Sequence, residues 1–210
     1  MNATACSRAL SDAELDVIEQ HFVDRGLRPV IRLTSSVDLP HFDQVLAERG
    51  YRYIEPSLVL RRSVAPPMSM PSPIAQLHFL EDAAQWVAVY ARLSGQGVED
   101  ARAHLAILRR ITHLIAWAVI GERPSPVCCG LGVRVGEQVG LFDIVTGAGW
   151  KRKGLAGALC QGLLTWGQRL GACGAFLQVV EANAPALGLY EKLGFERAYG
   201  YGYWVKDPLE

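Results

Sequence analysis

"GWKRKGLAGALCQGLLTWGQRLGA", residues 149–172, sets three cations before a run of small residues and then an apolar run with helical spacing. Taken alone, Lys151, Arg152 and Lys153 read as a solvated charge cluster at a helix start. The placement is unfavourable, because a helix N-terminus leaves backbone N–H groups unpaired and carries about half a positive charge. An arriving anion would offset both effects. Gly154, Ala156 and Gly157 would let a diphosphate approach the backbone without a side-chain clash. The rest of the chain decides between a solvated run and a phosphate seat.

The 210 residues suffice for one large domain or two small ones, and half of them are hydrophobic. Lys plus Arg and Asp plus Glu each total 21, so no net charge draws the protein to nucleic acid or a membrane. The basic cluster is three residues long and not interleaved with aromatics, so neither partner is expected. "MNATACSRALSDAEL" holds no long apolar stretch, and "HLIAWAVIG" is too short to span a bilayer. Five cysteines form neither a spaced metal pattern nor an even disulfide set. They read as small apolar residues in a reducing compartment, and the expected location is cytoplasmic. His21, His41, His78, His104 and His113 are scattered, with no helical pair at ligand spacing, and no metal is expected.

"SVAPPMSMPSP", residues 63–73, is dense in proline and reads as an extended linker. After it, "IAQLHFLE" reads as a strand. "DAAQWVAVYARLSG" reads as a helix capped by Asp82, with Trp86, Val89, Tyr90 and Leu93 on one face. A second amphipathic helix runs through Leu105, Leu108 and Ile111, and three glycine-linked strands follow as an antiparallel meander. The long helix from Leu155, the strand "AFLQVV", the short helix "APALGLYEKLG" and a last strand region complete the order.

The first part repeats the last in outline. Gly26 aligns with Gly171 and Gly50 with Gly194, at offsets of 145 and 144 residues. Both runs read helix end, glycine, strand, short helix, glycine-aromatic, strand. The near-constant offset points to duplication, and the first run has no counterpart of "KRKGLAG". It is also short at its start, either a remnant or a unit whose beginning lies upstream.

From Val139 to Gly194 the chain resembles the GCN5-related N-acetyltransferase (GNAT) superfamily. The resemblance rests on the strand "LFDIVT", the loop "KRKGLAG" and "LQVVEANAPALGLYEKLGF". The family's phosphate loop, R/Q-x-x-G-x-G/A, is matched by Lys151, Gly154 and Ala156. The later Asn, Tyr and Gly-Phe hallmark is matched by Asn183, Tyr190, Gly194 and Phe195. Lys151 keeps the charge of the usual Arg but not its planar fork. The resemblance implies an α/β fold with a mixed, mostly antiparallel sheet flanked by helices. In a tandem branch of the superfamily, a degenerate unit comes first. The implied domains are a partial unit over 13–62, a linker over 63–73 and a catalytic domain over 74–207.

By the same resemblance, the loop Lys151, Arg152, Lys153, Gly154, Leu155, Ala156 and Gly157 seats the phosphates of acetyl-CoA. The backbone of Ile144, Val145 and Thr146 holds the pantetheine arm and polarises the acetyl carbonyl. Asn183 reads as a helix cap, and the family's matching Asn also lies near the cofactor. Tyr190 reads as a core aromatic, and the resemblance makes it the acid that protonates the departing thiolate. Relatives carry a Glu base where this chain has Gln178 or Val139. Asp143 and Glu181 are the carboxylates left nearby, beside a water relay or an acceptor that arrives partly neutral. Asp143 is the catalytic candidate, and Glu181 reads as solvated. Trp86, Tyr90, Tyr201, Tyr203 and Trp204 are candidate walls for the acceptor, and each also fits ordinary packing.

The implied activity is acetyl transfer from acetyl-CoA to a primary amine of a small molecule or peptide, by direct attack in a ternary complex. A homodimer is left open. The alternative is a non-catalytic acyl-CoA-binding or regulatory module, which the absent Glu base favours.

Overall fold

The structure, a computed structural model, describes residues 3–6, 8–37, 39–64, 77–122 and 124–207. The order is β1 (Thr4–Ala5), α1 (Asp12–Val23), β2 (Val30–Thr34), α2 (Phe42–Glu48), β3 (Tyr51–Ser63), β4 (Leu77–Phe79), α3 (Ala83–Ser94) and α4 (Val98–Leu108). Then come β5 (Ile115–Ile120), β6 (Cys128–Val135), β7 (Gln138–Thr146), α5 (Leu155–Arg169), β8 (Gly174–Val180), α6 (Ala184–Lys192) and β9 (Glu196–Lys206). A short 3₁₀ turn, Ala148–Trp150, precedes α5. The expected helices and strands are all present. Two-residue β1 is an addition, too short to leave a pattern. Of the expected linker, Ser63 instead ends β3, and Val64 N–H donates to Cys173 O at 2.8 Å. Residues 65–73 lie outside the described residues.

Two compact units result, and neither is continuous in sequence. The first holds the described residues as far as Leu60, then Gln178–Gly188 and those from Arg197 on. Its strands run β1-β2-β9-β3. β1 is parallel to β2, while β9 is antiparallel to β2 from Val30↔Val205 to Thr34↔Tyr201. A capping box between Ser11 and Glu14 starts α1. Leu15, Ile31, Phe42, Leu46 and Tyr51 form its core. Arg49, at the end of α2, pairs with Asp12, Asp16 and Glu19 of α1.

The second unit holds Arg61–Leu177 and Leu189–Glu196. Its strands β4-β5-β6-β7-β8 pair antiparallel except for the parallel pair β7·β8. The alternation in "CCGLGV" on β6 explains its layers. Cys129, Leu131 and Val133 meet Trp86 and Val87 of α3 and Leu108 of α4. Gly130 and Gly132 point the other way, toward Leu159 and Leu163 of α5. Helices therefore cover both faces of an α/β mixed sheet. Asp82 caps α3 as expected, accepting from Gln85 N–H at 2.9 Å, and Gly95 closes it in the left-handed region.

All five cysteines are free. Cys6, Cys128, Cys129 and Cys160 are buried as small apolar residues, whereas Cys173 is exposed. Cys173 directly precedes β8.

Candidate active site

Gly154 precedes α5 with φ 78° and ψ 0°, and no side chain caps that helix end. The first-turn N–H groups of a 15-residue helix are thus left without a cap. A Cβ on Gly154 would meet nothing within 4 Å, so the backbone angle demands glycine, not crowding. Gly157 differs: the place of its Cβ lies 3.3 Å from Leu189 Cδ1, and its bare Cα admits α6. Lys151, Arg152 and Lys153 are exposed, and Arg152 also has a positive φ, 63°. Lys153 Nζ lies 4.5 Å from the ring centroid of Trp150, which is 47% exposed.

β7 carries the second part of the site. Its register with β8 ends at Leu141↔Leu177, so Phe142–Thr146 lie beyond that ladder. On the β6 side, Leu131 faces Phe142 and Cys129 faces Val145. Asp143 and Ile144 therefore stand opposite the single residue Gly130, and Asp143 takes φ 52°. This is a β-bulge, which re-aims side chains at the end of a strand. A Cβ on Gly130 would collide with Ile144 Cδ1 and come within 2.8 Å of Leu159 Cδ2. Gly130→Ala is expected to cost about 1–3 kcal/mol of stability, read from urea unfolding, because buried Leu159 has no room to yield. An unchanged midpoint would show that the bulge tolerates a methyl group.

Asp143 meets His104 of α4, with Nε2 to Oδ2 at 3.1 Å. Burial pushes the Asp143 carboxyl above its usual range, and His104 works against that rise. The His104 ring stands edge-on to Tyr90, with centroids 5.0 Å apart, and to Trp86 at 6.0 Å. Sequence reading missed His104: it lies 39 residues from Asp143 and looked like one more scattered histidine.

Tyr190, on α6, is 7% exposed, and its ring meets Phe195 edge-on at 5.9 Å. Burial pushes its phenol well above the ordinary range, so it keeps its proton at neutral pH. Loop, β7 end, Asp143 and Tyr190 all belong to the second unit. Asn183 belongs to the first, where its Oδ1 accepts from Ala186 N–H at 3.2 Å and caps α6. Val139 is fully buried against Gly167. Gln178 accepts from Tyr201 Oη at 2.7 Å, and Glu181 is exposed.

Of the five candidate wall aromatics, Trp86 and Tyr90 belong to the second unit and Tyr201, Tyr203 and Trp204 to the first. Trp86 is fully buried, and its Nε1 donates to Ala118 O at 3.3 Å and Gly130 O at 3.2 Å. It is core, because the apolar face of α3 docks on the sheet there. Tyr201 and Trp204 instead line a cavity of about 490 Å³ in the first unit, with Tyr53, Leu58, Glu181 and Arg197. Tyr203 packs edge-on to Tyr201. Among the described residues, no group of three or more His, Cys, Asp or Glu is placed to hold a metal. No described helix is long and apolar enough to cross a membrane.

The family model of the Acetyltransferase (GNAT) family matches residues 72–195, from β4 to the end of α6 and beyond. The chain belongs to the GNAT acetyltransferase family. Over 206 residues this GNAT chain is 24% identical to the uncharacterized N-acetyltransferase YobR of Bacillus subtilis, covering 97% of this chain and 83% of that protein. Over 62 residues it is 36% identical to the [ribosomal protein bS18]-alanine N-acetyltransferase of Escherichia coli K12, covering 30% of this chain and 42% of that protein. A tandem GNAT protein from the clavulanic acid biosynthesis pathway shares the fold, with TM-score 0.71 and 13% identity, over 94% of this chain and 70% of that one.

Proposed function

We propose that this GNAT chain acetylates a primary amine of a small molecule or peptide, with acetyl-CoA as donor and by direct attack in a ternary complex. The observation that carries the reading is the uncapped, glycine-led start of α5 behind three exposed cations. The residues fit a diphosphate there: the first turn offers unpaired N–H groups, and the space beside Gly154 is open. Lys151, Arg152 and Lys153 would add charge, and the β7 backbone from Ile144 to Thr146, beyond the β8 ladder, would hold the amide arm. Bound acetyl-CoA supplies an acetyl group activated as a thioester.

The chain's own groups would manage the protons. Asp143 would take the proton that an ammonium must lose before its nitrogen can attack. It accepts only when ionised, and burial raises its pKa. The acid limb of activity is therefore expected above the ordinary carboxylate value of about 4. Tyr190 keeps a phenolic proton at neutral pH for a departing thiolate.

We also read residues 13–62 as a degenerate partial copy of the catalytic unit, with 74–207 as the catalytic domain. One feature supports the copy: both runs fold as helix, strand, helix, strand.

Thiol release from acetyl-CoA, followed over a panel of primary amines and peptides with mass detection of the acetylated acceptor, tests the function. Acceptor-dependent release supports it; tight binding without turnover for any amine would favour the non-catalytic module. The loop has its own reporter. Phosphates that draw Lys153 away from Trp150 should change tryptophan emission on acetyl-CoA addition, and Trp150→Phe should remove that change. An identical signal in the variant would place the ligand elsewhere.

A further inference from the structure

The carboxylate assigned above as proton acceptor has a partner with no role in that reading. His104 directs Nε2 to Asp143 Oδ2 at 3.1 Å. Against an ionised carboxylate, that nitrogen carries the hydrogen and donates it. Nδ1 is a buried atom with no hydrogen-bond partner, so Nε2 is the one ring nitrogen that is anchored. The edge contacts with Tyr90 and Trp86 fix its plane.

The other groups around the pair do not compete for its proton. Tyr90 faces it from α3 and Cys129 from β6, and burial raises both groups, so both stay protonated while a carboxylate titrates. Arg92, on α3, contributes a constant positive charge near Cys129. The positive φ of Asp143 turns it out of the strand's alternation to a half-buried position, 32% exposed against 15% for His104. One carboxylate oxygen is anchored, and Oδ1 is left over.

We propose that His104 is the positioning residue for this base. As an Nε2–H donor it anchors Asp143 Oδ2 and fixes the carboxylate's orientation, and Oδ1 takes the proton of the incoming ammonium. In that transfer one N–H bond of the ammonium breaks and one O–H bond forms on Asp143. The electron pair stays on the amine nitrogen, and the Asp143 carboxylate passes from one negative charge to none. This inference rests on the acetyl-transfer reading and adds how its base is held.

The test needs no acceptor. Carbon-13 NMR of aspartate carboxyls and nitrogen-15 NMR of histidine rings are followed with pH in the full chain, in His104→Leu and in His104→Gln. Glutamine places an amide donor near the position of Nε2; leucine removes the donor. In the wild type, the His104 ring is expected to carry a hydrogen on Nε2. The Asp143 midpoint should rise by about one pH unit in the leucine variant and return toward wild type with glutamine. An Asp143 midpoint identical in all three proteins overturns the proposal. A ring protonated on Nδ1 alone also overturns it, even if leucine prevents folding. The shift without any acetyl transfer removes the functional reading and leaves the pair; transfer without the shift removes only this inference.

Discussion

Gly154→Glu is expected to weaken acetyl-CoA binding at least about 100-fold, close to 3 kcal/mol. Two effects add. A carboxylate beside the first turn of α5 can satisfy the same N–H groups a phosphate would use. Its charge also repels the ligand and pairs with Lys151 or Arg152. At φ 78° any L side chain is also strained, by about 1–2 kcal/mol, but free and bound protein share that strain, so it acts on stability. Gly154→Ala carries only the strain and should melt lower while binding within about a factor of three of wild type, which separates backbone geometry from charge. Calorimetric titration, with thermal melting to verify folding, reads both variants. Undiminished binding by folded Gly154→Glu would move the phosphates off this loop. Because the three cations are exposed, the wild-type affinity should also fall with added salt.

Tyr190→Phe should lower kcat by about 100-fold and leave the KM for acetyl-CoA within about a factor of three. The split follows from what the substitution removes. Phenylalanine keeps the ring that meets Phe195 and the volume that α6 buries, so folding and binding are preserved. Only the hydroxyl and its proton are lost. In the wild type, burial raises the phenol's pKa, so no alkaline loss of activity should arise from Tyr190 through the neutral range. Full turnover by the phenylalanine variant would return Tyr190 to a packing role alone.

The fold was largely legible because its signals are local. Loop, α5, β8 and α6 announce themselves through glycine positions and helical or alternating spacing, and Asn183 caps the helix that its place before Pro185 suggests. The site was legible only where one segment carries it. Nothing in "LFDIVT" signals a bulge, since the second residue opposite Gly130 appears only once β6 is in register. Without the bulge, Asp143 is an unexplained carboxylate in a strand, and His104 has no partner. Trp86 shows the same limit: its spacing gives the apolar face of α3, but only the docked sheet shows that this face is the centre of a core. Cys173 shows the converse: a small apolar residue type that the strand start leaves exposed.

The discontinuity of the first unit has a consequence for how the protein is made. β2 is synthesised early, yet its antiparallel partner is β9, and Val30 waits for Val205. On the ribosome the second unit's strands and helices emerge and can pack while the N-terminal run is still missing that strand. Pairing between such distant residues is slow to form, and the waiting edge of β2 is open to other chains. Stop codons and C-terminal tags near residue 200 should therefore act first on the opposite end of the polypeptide, where α1 and α2 gather their core.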